Sequence, residues 1–301
     1  MAEEILKMVN ITKRFAGITA LDRVQFSCSK GEVHVLAGEN GAGKSTILKI
    51  LAGIHQADEG EIYFHGKKVV IRNPEQSQKL GIAMVFQELT LVGEMTVWEN
   101  IYLNQEPVTR LGRINRKEIK KRILDVMDRY GIHIDPDATV SSLPVAEQQM
   151  AEILKILVRD PELIILDEPT SALAKKEVEQ LYQIIHNLIA DGKTIIFISH
   201  RLEELFELGD RITVFKDGCY IGTRNMNEIN EDDLIRMMVG RSLNHVFPPP
   251  VCEVDDSQVI FEVKDLADAD HKLNQVSFQV HKGEILGVAG LQGHGQAELL
   301  H

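Results

Sequence analysis

The sequence predicts an α/β fold with a mostly parallel core sheet, and three observations point to it. A glycine-rich loop, residues 38–45, separates a short apolar run from a helical pattern. Two further runs, Leu163–Leu166 and Thr194–Ser199, are almost wholly apolar, which is typical of strands buried on both faces of a parallel sheet. Helical patterns alternate with these strands, as the crossovers between parallel strands require.

The loop fits the pattern G-x-x-x-x-G-K-[ST] and is predicted to bind the phosphates of a nucleotide. Its glycines let the backbone curl so that consecutive N–H groups point at one anion, and the dipole of the following helix adds positive potential there. We expect Lys44 to contact the β- and γ-phosphates and the Ser45 hydroxyl to ligate Mg²⁺. The predicted nucleotide-binding residues of the loop are Gly38, Glu39, Asn40, Gly41, Ala42, Gly43, Lys44, Ser45 and Thr46.

The residues on either side of the loop support this interpretation. Val33–Ala37 is predicted to be a short buried strand, and Thr46–Leu51 is predicted to be a helix that ends before Gly53. The alternative interpretation is a glycine-rich turn that binds no ligand.

A helical insertion is predicted after the first strands. Asn115 followed by Glu118 is typical of a capping box at the start of a helix, which then ends at Gly131. The apolar stripe of this helix consists of Ile119, Ile123, Met127 and Tyr130.

The second half of the chain contains a further helix and a hairpin. The helix is predicted over Lys176–Ala190 and stops at Gly192. Its inward-facing residues are predicted to be Val178, Leu181, Tyr182, Ile185 and Leu188. The dipeptide Asp217-Gly218 predicts a tight hairpin turn between two later strands.

The predicted strand Leu163–Leu166 is followed by two carboxylates, Asp167 and Glu168. Ligands bind at the carboxyl ends of the strands in parallel sheets, so these acids are expected at the binding site. Asp167 suits a contact to Mg²⁺ through water, and Glu168 suits a base that orients or deprotonates the water attacking a γ-phosphate. The alternative is an acid pair that caps the turn at Pro169.

The two ends of the chain repeat one another. Val24–Glu32 recurs as Val276–Glu284, with an offset of 252 residues that also aligns three loop glycines with later glycines. The later glycines are Gly290, Gly293 and Gly295. A period this long indicates a duplicated domain. We therefore predict a complete first domain over 1–243, a linker over 244–258 and a truncated start of a second domain over 259–301.

Composition restricts the function classes. The chain has 33 basic and 45 acidic residues, a net charge of −12, which argues against a nucleic-acid surface as the main partner. No apolar run approaches the ~20 residues of a membrane span, and we expect no signal peptide before Met1. Cys28, Cys219 and Cys252 are interpreted as reduced thiols of a cytosolic protein.

Several motifs together resemble the ATP-binding cassettes of ABC transporters. In chain order they are residues 38–45, Phe86-Gln87, Leu163–Glu168 and Ser199-His200. The resemblance covers residues 4–242 and resumes at 259. It implies the fold of a P-loop NTPase, with an antiparallel β-subdomain and a helical subdomain over about 88–160. The segment Met237–Arg241 and the two unequal cassettes look like the ATP-binding subunits of bacterial carbohydrate importers for ribose, galactose, xylose and related ligands.

The resemblance implies further site residues. Phe15 would stack on adenine, although a packed loop aromatic is the alternative. Gln87 would ligate Mg²⁺ and sense the γ-phosphate, and its segment would face the membrane subunit. His200 would hydrogen-bond the γ-phosphate. The other ten histidines show no metal-ligand spacing and are expected to be surface or packing residues.

The signature segment departs from the family. The family presents Leu-Ser-Gly-Gly-Gln to ATP across a dimer, whereas the matching residues here are Leu143–Glu147, Leu-Pro-Val-Ala-Glu. Pro144 offers a phosphate neither a hydroxyl nor an N–H group. Ala174 also replaces an aspartate that is usual in the family. The alternative is that Ser141 or Ser142 substitutes for the missing serine.

The second loop departs as well, because Gln296 stands at the position of Lys44 and Ala297 at that of Ser45. In the family's dimer each ATP lies between one loop and the opposite signature. Both defects therefore fall on one of two sites. We hypothesise one hydrolytic site and one structural site, which predicts an intact Ser-Gly-Gly signature beyond residue 301.

The resemblance implies an importer ATPase, dependent on ATP and Mg²⁺, at the cytoplasmic face of the cell membrane. Its partners would be membrane permease subunits, indirectly a solute-binding protein, and a second cassette. Two alternatives remain open: a non-transport ABC ATPase of DNA repair or translation, and a catalytically silent nucleotide-binding module. The span from Ser45 to Leu143 is too short for the coiled coil of the repair proteins, and the linker is acidic where a translation factor's would be basic.

Overall fold

The computed structural model describes residues 3–109, 112–240, 255–267, 273–290 and 295–300. The chain divides into two compact units, Met1–Leu243 and Asn244–His301. The strands of the first unit are β1 (Glu4–Phe15), β2 (Ile18–Ser29), β3 (Val33–Ala37), β4 (Glu59–Phe64), β5 (Lys67–Val69), β6 (Ile82–Val85), β7 (Leu163–Asp167), β8 (Thr194–Ile198), β9 (Arg211–Lys216) and β10 (Cys219–Asn225).

Eight α-helices are described in this unit. They are α1 (Lys44–Leu51), α2 (Pro74–Lys79), α3 (Val97–Tyr102), α4 (Arg116–Tyr130), α5 (Val145–Leu157), α6 (Lys175–Ala190), α7 (Leu202–Leu208) and α8 (Glu231–Val239). Short 3-10 turns lie at Val140–Ser142 and Met226–Glu228.

The core of the first unit is a six-stranded sheet in the order β10-β9-β3-β8-β7-β6. Five of these strands are parallel to their neighbours, and only β10 pairs antiparallel, at one edge. Every residue of β3, β7 and β8 is buried. Burial on both faces explains their continuous apolar sequences, and it confirms the predicted parallel strands of the α/β fold.

Alternate residues of the core strands face two different hydrophobic clusters, because successive side chains of a strand point to opposite faces. Leu36 and Ile196 belong to a cluster shared with α1 and the antiparallel strands. Val35 and Phe197 belong to a cluster shared with helices α3 to α6. The sheet therefore separates an antiparallel β layer from a helical layer.

The antiparallel layer is a four-stranded sheet in the order β2-β1-β4-β5. Its inward face includes Ile5 and Val24, which are fully buried together with Ile47 of α1. This packing fixes the β layer against the helix that follows the glycine-rich loop. The antiparallel layer that the resemblance implied is thus present.

The helical layer confirms the predicted stripe on α4, since all four of its predicted apolar residues are buried. Asn115 Oδ1 accepts from the Glu118 N–H group at 3.3 Å, and Asn115 Nδ2 donates to Glu118 Oε2 at 2.9 Å. The carboxylate thus bonds the side chain of Asn115 instead of its N–H group, which donates to the Pro107 carbonyl oxygen at 2.7 Å. Gly131 ends the helix with φ +69°.

The predicted helix over Lys176–Ala190 is α6, which begins one residue earlier. Four of its five predicted inward residues are buried, but Tyr182 is only half-buried and Ile184 is buried in addition. The predicted hairpin is also present: Asp217 and Gly218 have φ +49° and +74° and join β9 to β10. Positive φ at both turn residues matches the right-handed twist of the strands.

The second unit contains a hairpin of β11 (Asp255–Leu266) and β12 (Val276–Lys282), followed by helix α9 (Gln296–Leu300). β12 lies within Val276–Glu284, the segment that repeats Val24–Glu32. The earlier segment includes the last residues of β2. The predicted linker up to residue 254, Cys252 and Gly293 lie outside the described residues. None of the helices that the structure describes is both long and apolar enough to span a membrane.

Candidate functional site

The loop between β3 and α1 depends on close approaches that only glycine allows. A Cβ atom on Gly38 would lie 2.2 Å from the carbonyl oxygen of Phe215 in β9. One on Gly43 would lie 2.8 Å from the carbonyl oxygen of Ala20 in β2. The loop is therefore pressed between both sheets, and the two glycines let its backbone follow this path.

The loop presents a set of unused backbone donors. Gly43 precedes α1 in the left-handed conformation and provides no side-chain cap. The N–H groups of Gly41, Gly43, Lys44, Ser45 and Thr46 donate to no acceptor among the described residues. Free N–H groups at a helix N-terminus, together with the helix dipole, form an anion-binding site. The arrangement fits phosphate groups.

Lys44 folds back over the loop. Its Nζ atom donates to the carbonyl oxygens of Gly38 at 2.7 Å and Glu39 at 3.0 Å. Burial lowers the pKa of the Lys44 ammonium, while the nearby Glu168 and Asp167 carboxylates oppose that shift. Both contacts lie within the loop itself, and Lys44 lines the cleft beside it.

Two carboxylates lie at the end of β7, as predicted. Asp167 is buried, and burial raises the pKa of its carboxyl. Glu168 raises it further, whereas Lys49 and Lys44 lower it. Glu168 itself has φ +50°, a left-handed conformation that is uncommon for a residue with a Cβ atom. Its N–H group donates to the Ile198 carbonyl oxygen at 3.0 Å, so neighbouring β8 holds this turn.

Gln87 and His200 both meet Glu168. Gln87 Nε2 donates to Glu168 Oε2 at 3.1 Å, and His200 Nδ1 lies 3.5 Å from the same oxygen. Gln87 follows β6 and His200 follows β8, on either side of β7. Because the three strands are parallel, their carboxyl ends bring the three side chains together at one edge of the sheet.

These groups line one cleft of about 530 Å³. The residues that line it are Ala20, Asn40, Gly41, Ala42, Gly43, Lys44, Ser45, Thr46, Gln87, Asp167, Glu168, Ile198 and His200. Three predicted residues are not among them. Gly38 and Glu39 act through the backbone carbonyls that hold Lys44, and Phe15 lies 38% exposed at the end of β1.

Phe15 is partly packed. Its ring makes an edge-on contact with His55, with 5.0 Å between ring centroids, and Lys13 Nζ lies 5.3 Å from its centroid. The open part of the ring remains able to stack on a planar ligand. Both roles considered for this aromatic residue, packing and stacking, are compatible with these contacts.

Two residues of the cleft escaped prediction, Ala20 and Ile198. Ala20 enters because β2 crosses the loop, and Ile198 because it is the last residue of β8. The run Thr194–Ser199 located the strand end, so Ile198 had a signal. Ala20 had none, since only the contact between the two sheets brings it to the cleft.

The altered signature lies at the start of α5. Pro144 immediately precedes the helix, and no side chain caps it. Leu143 and Ala146 pack against the helical cluster. Ala174 precedes α6, which likewise has no side-chain cap. The family has a serine at the position of Pro144 and an aspartate at that of Ala174, and such side chains can cap a helix. Here neither helix has a side-chain cap.

In the second unit, Gln296 aligns with Lys44 in sequence. Its Nε2 atom lies 2.8 Å from the position that a Cβ atom on Gly290, the counterpart of Gly38, would take. A neutral amide supplies less attraction to phosphate than an ammonium. The side chain of Ala297 lies outside the described residues.

A second polar cluster lies at the start of β3, where Cys28, Glu32 and His34 are buried within 4.8 Å of one another. Both ring nitrogens of His34 have partners: Nδ1 lies 2.9 Å from Glu32 Oε1, and Nε2 lies 2.8 Å from Thr213 Oγ1. A carboxylate only accepts, so Nδ1 carries the proton and Nε2 accepts from the Thr213 hydroxyl. His34 is thus a packing residue, as expected for the histidines other than His200.

The cluster is closed by Arg211, whose Nη1 donates to Glu32 Oε1 at 3.1 Å. Burial raises the pKa of the Cys28 thiol well above its usual value, with Glu32 adding to the shift. A metal ion would need a thiolate and a free imidazole lone pair, and this arrangement favours neither. We interpret the cluster as structural.

A comparison of the sequence with protein families matches residues 21–171, half of the chain, to the ABC transporter family. The matched region includes the loop, Gln87, Asp167 and Glu168.

Similar proteins extend over nearly the whole chain. A ribose/galactose/methyl galactoside import ATP-binding protein of Burkholderia cenocepacia is 46% identical over 99% of this chain and 56% of its own. Ribose import ATP-binding protein RbsA 3 of Rubrobacter xylanophilus is 43% identical over 99% of this chain and 59% of its own. The chain thus spans little more than half the length of these relatives.

Solved structures show the same architecture. The ADP conformation of MJ1267, an ATP-binding cassette of an ABC transporter, aligns with a TM-score of 0.68 and 27% identity, over 79% of this chain and 99% of that one. A dimeric post-hydrolysis state of the cassette MJ0796, bound to ADP and Pi, aligns with a TM-score of 0.63 and 28% identity, over 73% and 98% of the two chains.

Proposed function

The chain belongs to the ABC transporter family, and from this premise we propose that it binds and hydrolyses ATP to power uptake of a sugar through a partner permease. The observation that carries the proposal is the cleft between β3, β7 and α1. It combines unused N–H donors, an ammonium group and two carboxylates. Anion-binding donors beside acidic groups fit a triphosphate together with a divalent cation better than either alone.

The triphosphate would lie along the loop, with its β- and γ-phosphates against Lys44 and the N–H groups of α1. The Ser45 hydroxyl is exposed and lies beside the cleft's acidic wall, which suits Mg²⁺ with Gln87 and, through water, Asp167. Bound Mg²⁺ would supply charge neutralisation to the phosphates. Phe15 would stack on the adenine, as its partly exposed ring allows.

Hydrolysis would be carried out by Glu168, Gln87 and His200. Glu168 would orient the attacking water and accept its proton, since it lines the cleft and its Oε2 atom lies within 3.5 Å of both other side chains. Gln87 would orient that carboxylate and sense whether the γ-phosphate is present. His200 would donate a hydrogen bond to the γ-phosphate. The protein's contribution is position and electrostatic stabilisation.

Coupling to a permease would take place near Gln87. A groove of about 390 Å³ beside this segment is lined in part by Met84, Phe86, Glu152 and Arg159. Its lining of apolar and charged side chains would suit a short helix of a membrane partner. The protein would then act at the cytoplasmic face of the cell membrane, with a solute-binding protein as an indirect partner.

A second cassette would complete the hydrolytic site. We propose that residues 259–301 begin that cassette, that 1–243 form the first and that 244–258 link them. Pro144 weakens the signature of the first cassette and the neutral Gln296 weakens the loop of the second, so the intact loop of residues 38–45 would pair with a complete signature further along the gene product. A gene product without that signature would contradict the two-site hypothesis.

The catalytically silent module is the competing function, because Pro144 weakens the signature in this chain. Steady-state ATP hydrolysis separates the two. We expect Glu168→Gln to lower kcat by ~10²–10⁴ while ATP·Mg²⁺ affinity is retained, because the base is lost but the phosphate contacts remain. Glu179→Gln, an exposed glutamate of α6 outside the cleft, is the matched control. Equal rates for both variants and the parent would favour the silent module.

Transport is tested in cells that lack the gene. We expect the parent protein to restore uptake of labelled ribose or galactose and Glu168→Gln to restore none. Restored uptake with the Glu168→Gln protein would contradict ATP-driven import.

A further inference from the structure

The first unit contains a buried carboxylate, Glu204, that lies outside the cleft and close to two of the loops that line it. Glu204, in α7, is only 4% exposed. Its Oε2 atom accepts from the hydroxyl groups of Thr170 at 2.7 Å and Ser199 at 2.6 Å, and Oε1 accepts from Arg201 Nη1 at 3.3 Å. A buried carboxylate with three donors is fully satisfied, and its partners come from two separate loops.

Those two loops carry the reacting side chains. Thr170 lies two residues after Glu168, and Ser199 immediately precedes His200. The Ser199 hydroxyl also accepts from the Arg201 N–H group at 3.0 Å, so both neighbours of the histidine are held. Glu204 itself does not line the cleft, and it therefore acts on the cleft only through these loops.

Glu168 needs such support. Its backbone is left-handed, at φ +50°, a conformation that costs free energy and persists only where the surrounding contacts enforce it. On one side its N–H group is held by the Ile198 carbonyl oxygen at 3.0 Å. On the other side the chain continues to Thr170, which is buried and bonded to Glu204. The turn is thus fixed at both ends.

We propose that Glu204 is a positioning residue that sets the distance and orientation of Glu168 relative to His200. The inference rests on the proposed ATP hydrolysis, and it deepens that function by assigning a residue outside the cleft. A single carboxylate oxygen that accepts from both loops ties the ends of β7 and β8 together beyond their last backbone pair. Small displacements of catalytic groups lower rates strongly while they leave substrate affinity unchanged.

The test compares Glu204→Ala, Glu204→Gln and Thr170→Val in the whole gene product, in which the proposed second cassette completes the hydrolytic site. We expect Glu204→Ala to lower kcat for ATP by ~10–100-fold and to change the Kd for ATP·Mg²⁺ less than ~3-fold, because the phosphate loop is untouched. Glu204→Gln should recover kcat to within ~5-fold of the parent, since its amide oxygen can accept from both hydroxyls. Thr170→Val, which keeps the side-chain volume and removes one bond, should lie between them.

A double-mutant cycle separates positioning from general stabilisation. In the Glu168→Gln background we expect Glu204→Ala to lower the residual rate less than ~3-fold, because the group that it positions is already disabled. A parental kcat in Glu204→Ala, an equal loss of ATP affinity, or a full ~10–100-fold effect in the Glu168→Gln background would each overturn the inference.

The inference and the proposed function fail in different ways. If the parent hydrolyses no ATP, or if Glu168→Gln keeps the parental rate, the proposed function fails. Amide hydrogen exchange still tests Glu204 in that case. We expect faster exchange at the Glu168 and Arg201 N–H groups in Glu204→Ala and unchanged exchange in β3. Unchanged exchange at both the Glu168 and the Arg201 N–H groups would overturn the positioning role.

Discussion

The two ends of β3 carry polar clusters of opposite character. At its start, Glu32 and His34 are buried, and their side chains bond one another, Thr213 and Arg211. At its end, the N–H groups of Gly41, Gly43, Lys44, Ser45 and Thr46 have no acceptor among the described residues, and the cleft is open. The polar groups at the start of β3 thus find hydrogen-bond partners within the protein. Several N–H groups after its end do not find one among the described residues.

The difference separates structural polar groups from functional ones. Burying a polar group is costly unless a partner is present, so a closed network contributes to the stability and specificity of the fold. Donors left without protein acceptors at a helix N-terminus gain a partner only when an anion binds. The clusters therefore respond to different measurements, stability in one case and affinity in the other.

The largest effect is expected from Glu32→Ala. The substitution leaves Arg211 and the His34 ring without their buried acceptor, which should lower the free energy of unfolding by about 3 kcal/mol. ATP·Mg²⁺ affinity should stay within ~2-fold of the parent, because Glu32 does not line the cleft. Urea unfolding and calorimetric titration measure the two quantities.

The control is Glu59→Ala, an exposed glutamate paired with Arg14 on the surface, for which no measurable loss of stability is expected. A Glu32→Ala protein that unfolds like the parent but binds ATP weakly would reverse the assignment of the two clusters.

Lys44→Ala should have the opposite profile. We expect ATP·Mg²⁺ affinity to fall by ~10–100-fold, since the proposed charged donor to the phosphates is lost. Stability should hardly change, because Lys44 bonds only two carbonyl oxygens of its own loop. Isothermal titration measures the affinity, and Lys67→Ala, an exposed lysine of β5, is the control. Parental affinity in Lys44→Ala would contradict the triphosphate site.

Two glycines of the loop offer a finer comparison. Gly41 has φ +84°, but no atom lies within 4 Å of the position that a Cβ atom would take, so Gly41→Ala should cost only the left-handed strain, about 1 kcal/mol. Gly38→Ala must also move the Phe215 carbonyl, 2.2 Å from the new atom, and should cost more. Thermal unfolding ranks the variants, and equal losses would contradict the close approach of β9.

The last comparison concerns the pH dependence of stability. Burial lowers the pKa of His34, despite the opposing effect of Glu32, so the folded state keeps the ring neutral while the unfolded state takes up a proton. Stability should therefore be retained above pH 6.5, the usual pKa of histidine, and decrease as the pH falls below it. A pKa that is lower by one in the folded state than in the unfolded state corresponds to about 1.4 kcal/mol.

Burial alone would raise the pKa of Glu32, but the hydrogen bonds from His34 and Ser29, together with the charge attraction of His34 and Arg211, lower it overall. Its contribution has the same sign and is lost as the pH falls below 4.5. Unfolding followed from about pH 8 to 4 should show a shallower slope between about pH 7 and 5 in His34→Gln. An identical slope in variant and parent would exclude His34 as the group that titrates.

The elements that short-range patterns encode were predictable. The Val33–Ala37 strand is found as predicted, and the Lys176–Ala190 helix is found with one residue more. α1 begins two residues before the predicted Thr46, because Gly43 already turns the chain into the helix. Periodicity predicted the edge of the buried stripe of α6 less well, because Tyr182 is half-buried and Ile184 is buried. The width of the buried stripe depends on which neighbouring elements pack against the helix.

The residues of the candidate site also fall into those that local sequence patterns locate and those that they do not. The positions of Lys44, Ser45, Asp167 and Glu168 in one cleft could be predicted because each belongs to a local motif, whereas their roles stay predictions. Gln87 and His200 depended on the resemblance to a family, since a glutamine or histidine after an apolar strand is unremarkable alone. Glu204 had no signal, because its partners lie up to 34 residues away in sequence.

The sequence by itself determined the phosphate loop, the acid-terminated strand and the alternation of strands and helices. Backbone conformation and hydrogen bonding within a few residues are enough to specify these features. Only the tertiary structure decided that Gln87, Glu168 and His200 meet at one oxygen, and that Glu32 and His34 are satisfied internally. Those contacts depend on the strand order β3-β8-β7-β6, which arises from packing over the whole first unit.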